Sequence, residues 1–204
     1  MDVVFLIVIL IFSIVVHEVF HAAMANYLGD ATAKYAGRLT LNPLKHLDPI
    51  GSVIVPVFLI LTTGTGIGWA KPVPINPFNF RDQKYGSLKT ALAGPAANLI
   101  IALVFGLIIR FSFGFLPASL LSMFAFIVFI NILLAIFNLV PIPPLDGSHI
   151  LFTFLPYSMQ NIKIFLNQFG FFILIFLIFL FPGFRIFLDH IVKLFFALIV
   201  GAPL

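Results

Sequence analysis

The sequence predicts an all-α polytopic membrane protein, and three observations carry that prediction. The 204 residues are 62% hydrophobic and only 9% charged, whereas a soluble domain carries about a quarter charged residues. Mean hydropathy is +1.19. Apolar stretches recur at 3–27, 50–67, 88–112, 118–140, 162–181 and 184–200. Since a span needs about 20 residues of helix, about five to six transmembrane helices are expected. They would form a single domain over 1–204, with a core at 1–156 and peripheral helices at 157–204. The absence of cysteine excludes disulfides, thiolate metal sites and cysteine nucleophiles. The net charge of +4 does not point to nucleic acid. Lys and Arg fall mostly between apolar segments, as in loops facing the cytoplasm.

The first stretch, 3–27, holds the only glutamate of the chain, Glu18, within His17-Glu18-Val19-Phe20-His21. A helix turns about 100° per residue, so His17 and His21 share a face roughly one turn apart. That face can present two imidazoles to one zinc ion, with Glu18 placed to take a proton from a water activated there. Ionisable residues inside a span are costly and mark function. Ala23-Met24-Ala25 resembles a signal cleavage site. No Lys or Arg precedes the apolar run, however, and cleavage there would discard the whole motif, so the stretch reads as a retained helix.

The second stretch, 50–67, has Pro56 at its middle and runs into Thr62-Thr63-Gly64-Thr65-Gly66-Ile67-Gly68, poor material for a helix. The flanking loops carry Lys34, Arg38 and Lys45 on one side and Lys71, Arg81 and Lys84 on the other. A segment that dips in and returns keeps all of these charges on the cytoplasmic face. We therefore expect a re-entrant or partly extended segment near 50–75, which requires cover by protein or a wet cavity. On this topology 3–27 runs inward, 88–112 outward, 118–140 inward and 162–181 outward. His17 then lies about 15 Å from the cytoplasmic end of its helix. The last stretch, with Arg185, Asp189, His190 and Lys193, reads equally as a short span or an interfacial helix.

A catalytic zinc site needs a third protein ligand and an open position. His46, His149 and His190 read as loop or packing residues, and Asp2, Asp30, Asp48, Asp82 and Asp189 as solvated acids at segment ends. Asp146 differs. It ends Asn138-Leu139-Val140-Pro141-Ile142-Pro143-Pro144-Leu145-Asp146 and precedes Gly147. Three prolines in four positions break any helix near 138–147, and an extended backbone is expected there. The residues alone leave metal ligand and solvated interfacial loop as equal alternatives for Asp146.

HEVFHA at 17–22, GPAAN at 94–98, NLVPIPPLDG at 138–147, and the connecting NPLKHLDPIG and GWAKPVPINP together resemble the site-2 protease family of intramembrane zinc metalloproteases. The resemblance covers roughly 10–155. It is strongest to small prokaryotic members that start with the HExxH helix, without a PDZ-like insertion or an appended nucleotide-binding domain. It implies one zinc per chain bound by His17, His21 and Asp146, with Glu18 as general base. It places Asn138 by the metal, holding substrate or the developing oxyanion, and gives Gly94, Pro95 and Asn98 a substrate-binding place on the neighbouring helix. Small residues there also suit close helix packing, and Asn98 an interhelical hydrogen bond. The implied partners are the lipid bilayer and single-span membrane protein substrates cut within or near the span, in regulated intramembrane proteolysis. The implied location is the cytoplasmic membrane of a prokaryotic cell, with the site nearer the cytoplasmic face. Such a substrate must unwind, because a helix hides its carbonyls; exposed backbone in 50–75 is expected to pair with it as an added strand. The alternatives are a zinc or proton-coupled transporter, against which the lack of paired, matching broken helices argues, and an inactive relative that binds membrane helices.

Overall fold

The computed structural model describes residues 3–48, 51, 54, 71–112 and 114–202. Among them are α1 (Val3–Tyr27), α2 (Thr32–Tyr35), α3 (Gly86–Phe111), α4 (Ala118–Asn138), α5 (Gly147–Phe154), α6 (Gln160–Phe179) and α7 (Pro182–Val200), joined by loops and short 3-10 turns, with no strand. The protein is an all-α polytopic membrane protein. Four helical stretches among the described residues are long and apolar enough to span: Val4–Tyr27, Gly86–Phe111, Ala118–Asn138 and Tyr157–Phe179. Of the re-entrant or partly extended segment expected near 50–75, only Gly51, Ile54 and residues 71–75 lie among the described residues.

Helix α3 is central, packing on α1, α4, α5 and α7. Small side chains permit this: Ala91, Ala93, Gly94, Ala97, Ala102 and Gly106 are all buried along it, which lets neighbouring backbones approach. The apolar core lies at the end of the bundle away from the HExxH motif. There Ala102 and Ile109 of α3 meet Val128 and Ile132 of α4 and Val192, Phe196 and Val200 of α7.

That core takes in the last stretch as well. Leu188, Val192, Phe196 and Val200 recur every fourth residue and are buried, a stripe that seats α7 against α3 and α4. Its charges lie outside the stripe, Lys193 and Asp189 forming an exposed pair at 2.8 Å. The Arg110 guanidinium donates to the Leu198 carbonyl at 3.1 Å, tying the end of α7 to that of α3. Of the two helices beyond 156, α6 is the more exposed.

The break after α4 also differs from expectation. Residues 139–146 are turns and bends, not extended chain, with Ile142 N–H bonded to the Val140 carbonyl at 2.8 Å and Leu145 N–H to that of Ile142 at 3.0 Å. Proline's fixed φ suits turns as well as extended backbone. Gly147 closes this corner. A Cβ there would lie 2.2 Å from the Leu139 carbonyl oxygen and 2.4 Å from that of Val140, so only glycine lets α5 start against the end of α4.

A second corner follows α1. Gly29 adopts φ +113°, and a Cβ on it would lie 2.9 Å from the Asn79 carbonyl oxygen. The Leu28 carbonyl accepts from Arg81 N–H at 2.8 Å. Asp30, read from sequence as solvated, is fully buried. It accepts from Asn76 N–H at 2.7 Å and the Asn79 amide at 2.8 Å, and from the Thr32 N–H and hydroxyl. Burial by itself would raise this carboxyl, but the donors from Thr32, Asn79 and Asn76 outweigh it and hold it below the usual carboxylate range. The segment 71–81 is thereby fastened to the end of α1.

Candidate metal centre and cleft

Ser13, His17 and His21 are one turn apart on α1 and all buried. The α4–α5 corner brings Asp146 to the same point. His17 Nε2 lies 3.0 Å from His21 Nε2 and 3.0 Å from Asp146 Oδ2, with His21 Nε2 3.2 Å from the same oxygen. The other ring nitrogens are engaged from behind. His21 Nδ1 is 2.7 Å from the Thr90 carbonyl, which can only accept, so Nδ1 carries the proton and Nε2 presents a lone pair. His17 Nδ1 donates likewise to Asn98 Oδ1 at 2.6 Å.

With both imidazoles neutral, two bare Nε2 atoms and the Asp146 carboxylate converge on one point, an arrangement that a cation between them relieves. Tetrahedral zinc with bonds of about 2.0–2.1 Å separates its ligand atoms by about 3.3 Å, close to the observed triangle. Two imidazoles and a carboxylate form a donor set that zinc accepts, and among the described residues this is the one such cluster. Gly94 of α3 faces it: a Cβ there would lie 2.4 Å from His21 Nε2 and 2.7 Å from His17 Nε2.

Beside the cluster lies a cleft of about 340 Å³, lined among others by Glu18, Val73, Ile75, Ser87, Asn138 and His149. Glu18 is half-buried, and its carboxylate accepts from Val73 N–H at 3.3 Å. Pro72, Val73, Ile75 and Pro77 form one wall, on the segment that Asp30 fastens. Asn138 donates one amide hydrogen to the Leu134 carbonyl at 2.9 Å, which leaves its second N–H available at the cleft.

The structure thus gathers His17, His21, Asp146, Glu18 and Asn138 around one cleft, with Gly94 against the cluster. Pro95 and Asn98 are set deeper. Asn98 is fully buried; its oxygen serves His17, while its amide donates to the Ser13 carbonyl at 3.1 Å and to Asn131 Oδ1 at 2.8 Å. Asn98 thus makes the interhelical hydrogen bond that its position on a packed helix allowed, with His17 as one partner. Of the remaining histidines, His149 stands in the cleft wall outside the cluster. His46 is buried elsewhere, with Nε2 2.9 Å from the Thr40 carbonyl, and His190 Nδ1 donates to the Ile186 carbonyl at 2.8 Å. Sequence reasoning missed Thr90, Ser13 and Asn131. Ser13 and Asn131 left a trace, since each sits on the same helix face as a chosen residue, four before His17 and seven before Asn138. Thr90 acts through its backbone, which no side-chain pattern marks.

The pattern of Peptidase family M50 matches residues 115–177, the stretch that holds Asp146. The chain is 38% identical over 159 residues to YwhC of Bacillus subtilis, covering 74% of this chain and 69% of that protein. It is 35% identical over 167 residues to Rip2 of Mycolicibacterium smegmatis, covering 81% and 63%, and 32% identical over 135 residues to Rip2 of Mycobacterium tuberculosis, covering 66% and 51%. All three carry provisional zinc metalloprotease names. The chain thus spans between about half and about two thirds of these relatives. No solved structure matches it.

Proposed function

Because the chain belongs to peptidase family M50, the site-2 protease family of zinc metalloproteases, we propose that it hydrolyses peptide bonds within or near the transmembrane segment of single-span membrane proteins. The observation that carries this reading is the triangle of His17 Nε2, His21 Nε2 and Asp146 Oδ2 at 3.0–3.2 Å beside the Glu18 carboxylate in an open cleft. These three side chains would hold one zinc per chain. Bound there, zinc supplies Lewis-acid chemistry, acidifying water and polarising the scissile carbonyl.

Glu18 takes a proton from the attacking water and returns it to the leaving amine. Its bond from Val73 N–H keeps one oxygen aimed along the wall. Asn138 offers its free amide hydrogen to the oxyanion that develops at the scissile carbonyl. Asn98 and the Thr90 carbonyl hold the two imidazoles in the orientation that keeps both Nε2 atoms inward. The cleft accepts an unwound stretch of chain, and the prolines at 72, 74 and 77 leave gaps in the donors the wall can offer it.

His17 stands ten residues before Tyr27 at the end of α1, about 15 Å along the helix. With the basic loops on the cytoplasmic side of a prokaryotic cell membrane, the site opens nearer that face. The test uses purified protein in bilayers, wild type beside Glu18→Gln, with elemental zinc analysis and a panel of single-span substrates. One zinc in both, and cleavage by wild type alone, supports the reading; Glu18→Gln is expected to lower the rate by at least about 10²-fold. Absence of zinc from both after metal-replete preparation would sink it.

A further inference from the structure

Behind His17, on the side away from the cleft, a closed polar network joins three helices inside the apolar bundle. Its members are Ser13 of α1, Asn98 of α3 and Asn131 of α4, which are 4%, 0% and 0% exposed. Asn98 donates to the Ser13 carbonyl at 3.1 Å and to Asn131 Oδ1 at 2.8 Å. Asn131 donates in turn to Ser13 Oγ at 3.0 Å and to the Ile127 carbonyl at 2.8 Å. These groups are shut off from the surface, so a reversed amide would lose its partners there, and a buried unpaired polar group is costly.

We infer that Asn131 is a positioning residue that fixes the tautomer of His17 through Asn98. This rests on the proposed role of His17 as a metal ligand. The direction of the network comes from two backbone carbonyls that can only accept. The Ile127 carbonyl requires the Asn131 amide nitrogen, which turns Asn131 Oδ1 toward Asn98. That oxygen and the Ser13 carbonyl both require the Asn98 nitrogen, which turns Asn98 Oδ1 toward His17 Nδ1. His17 must then carry its proton on Nδ1 and present a bare Nε2 to the cluster. If Asn98 reversed, its oxygen would face two other oxygens and the His17 proton would move to Nε2, blocking the ligand position. His21 is governed separately, by the Thr90 carbonyl.

The test reads the tautomers directly, by ¹⁵N chemical shifts of the metal-free full chain labelled at histidine, and reads zinc affinity by competition with a chelator. Wild type is expected to show both His17 and His21 protonated at Nδ1. In Asn131→Leu, His17 becomes a mixture of tautomers while His21 is unchanged, and zinc affinity falls about tenfold. Asn131→Asp keeps an oxygen toward Asn98 whether ionised or protonated, so it retains the wild-type tautomer and stays within about twofold in affinity. Nε2 protonation of His17 in wild type overturns the inference, as does an Asn131→Leu protein unchanged in both tautomer and affinity. Equal disturbance of both histidines, the sign of general loosening, overturns it too. If Asn131→Leu does not fold, wild type and Asn131→Asp still decide. A wild type with the expected tautomers but no zinc would refute the metal reading and leave the relay standing.

Discussion

Replacing Gly94 by alanine tests whether the space between the imidazoles is the ligand site. The added Cβ would stand 2.4 Å from His21 Nε2 and 2.7 Å from His17 Nε2, whereas unbonded heavy atoms rest about 3.5 Å apart. Each contact is short by about 1 Å. Relief requires α3 to back away or both imidazoles to swing aside, and zinc bonds near 2.0–2.1 Å tolerate neither. Two of three ligands are struck at once, so the zinc dissociation constant should rise at least about 100-fold, or about 2.7 kcal/mol. The control is Gly106→Ala on the same helix, whose Cβ would approach Ile199 Cγ2 to 2.3 Å. That clash is as severe but purely apolar; it should lower stability by about 1–3 kcal/mol and leave zinc binding intact. The assay is chelator competition on folded, detergent-solubilised protein, alongside thermal unfolding. A Gly94→Ala protein that binds one zinc with wild-type affinity would refute the placement of the metal.

Three further outcomes are expected. Asp30→Ala removes the buried carboxylate that accepts from Thr32, Asn76 and Asn79 and should destabilise by about 1–3 kcal/mol. Because the folded-state pKa of Asp30 is depressed, its contribution is complete above the unfolded value of about 3.9 and is lost as pH falls through the folded one. Thermal unfolding of Asp30→Asn should therefore lose part of the wild type's dependence on pH below about 4, and identical acid profiles would refute the assignment. Gly147→Ala forces a Cβ onto two backbone carbonyls that cannot rotate away; zinc content and cleavage should both fall, and retention of both would show that the corner tolerates bulk.

The site was legible where chemistry is written in side chains at a helical period. His17, Glu18 and His21 follow from spacing alone, whereas only the fold brings Asp146 to within 3.0 Å of His17 Nε2, because a proline-rich run states where a helix ends and not where the next residue points. Asp30 was misread since an acid at a helix end is usually solvated; what buries it is a segment 46 residues away. The seating of α7 was present as the stripe Leu188, Val192, Phe196 and Val200, masked by the charges on its other face. The fastening of His21 could not be read, because the group that does it is a carbonyl every residue possesses.

The separation of His17 from Asp146, 129 residues along the chain, bears on how the molecule is made. During synthesis the HExxH helix precedes the other described helices, carrying two imidazoles with no carboxylate to join them. Asn98 and the Thr90 carbonyl arrive with α3, Asn131 with α4, and the last donor only after the proline corner has left the ribosome. A nascent chain therefore holds no complete centre until its core helices are in place. Chain order itself keeps a hydrolase idle while it is still threading through the insertion machinery among other unfolded membrane segments.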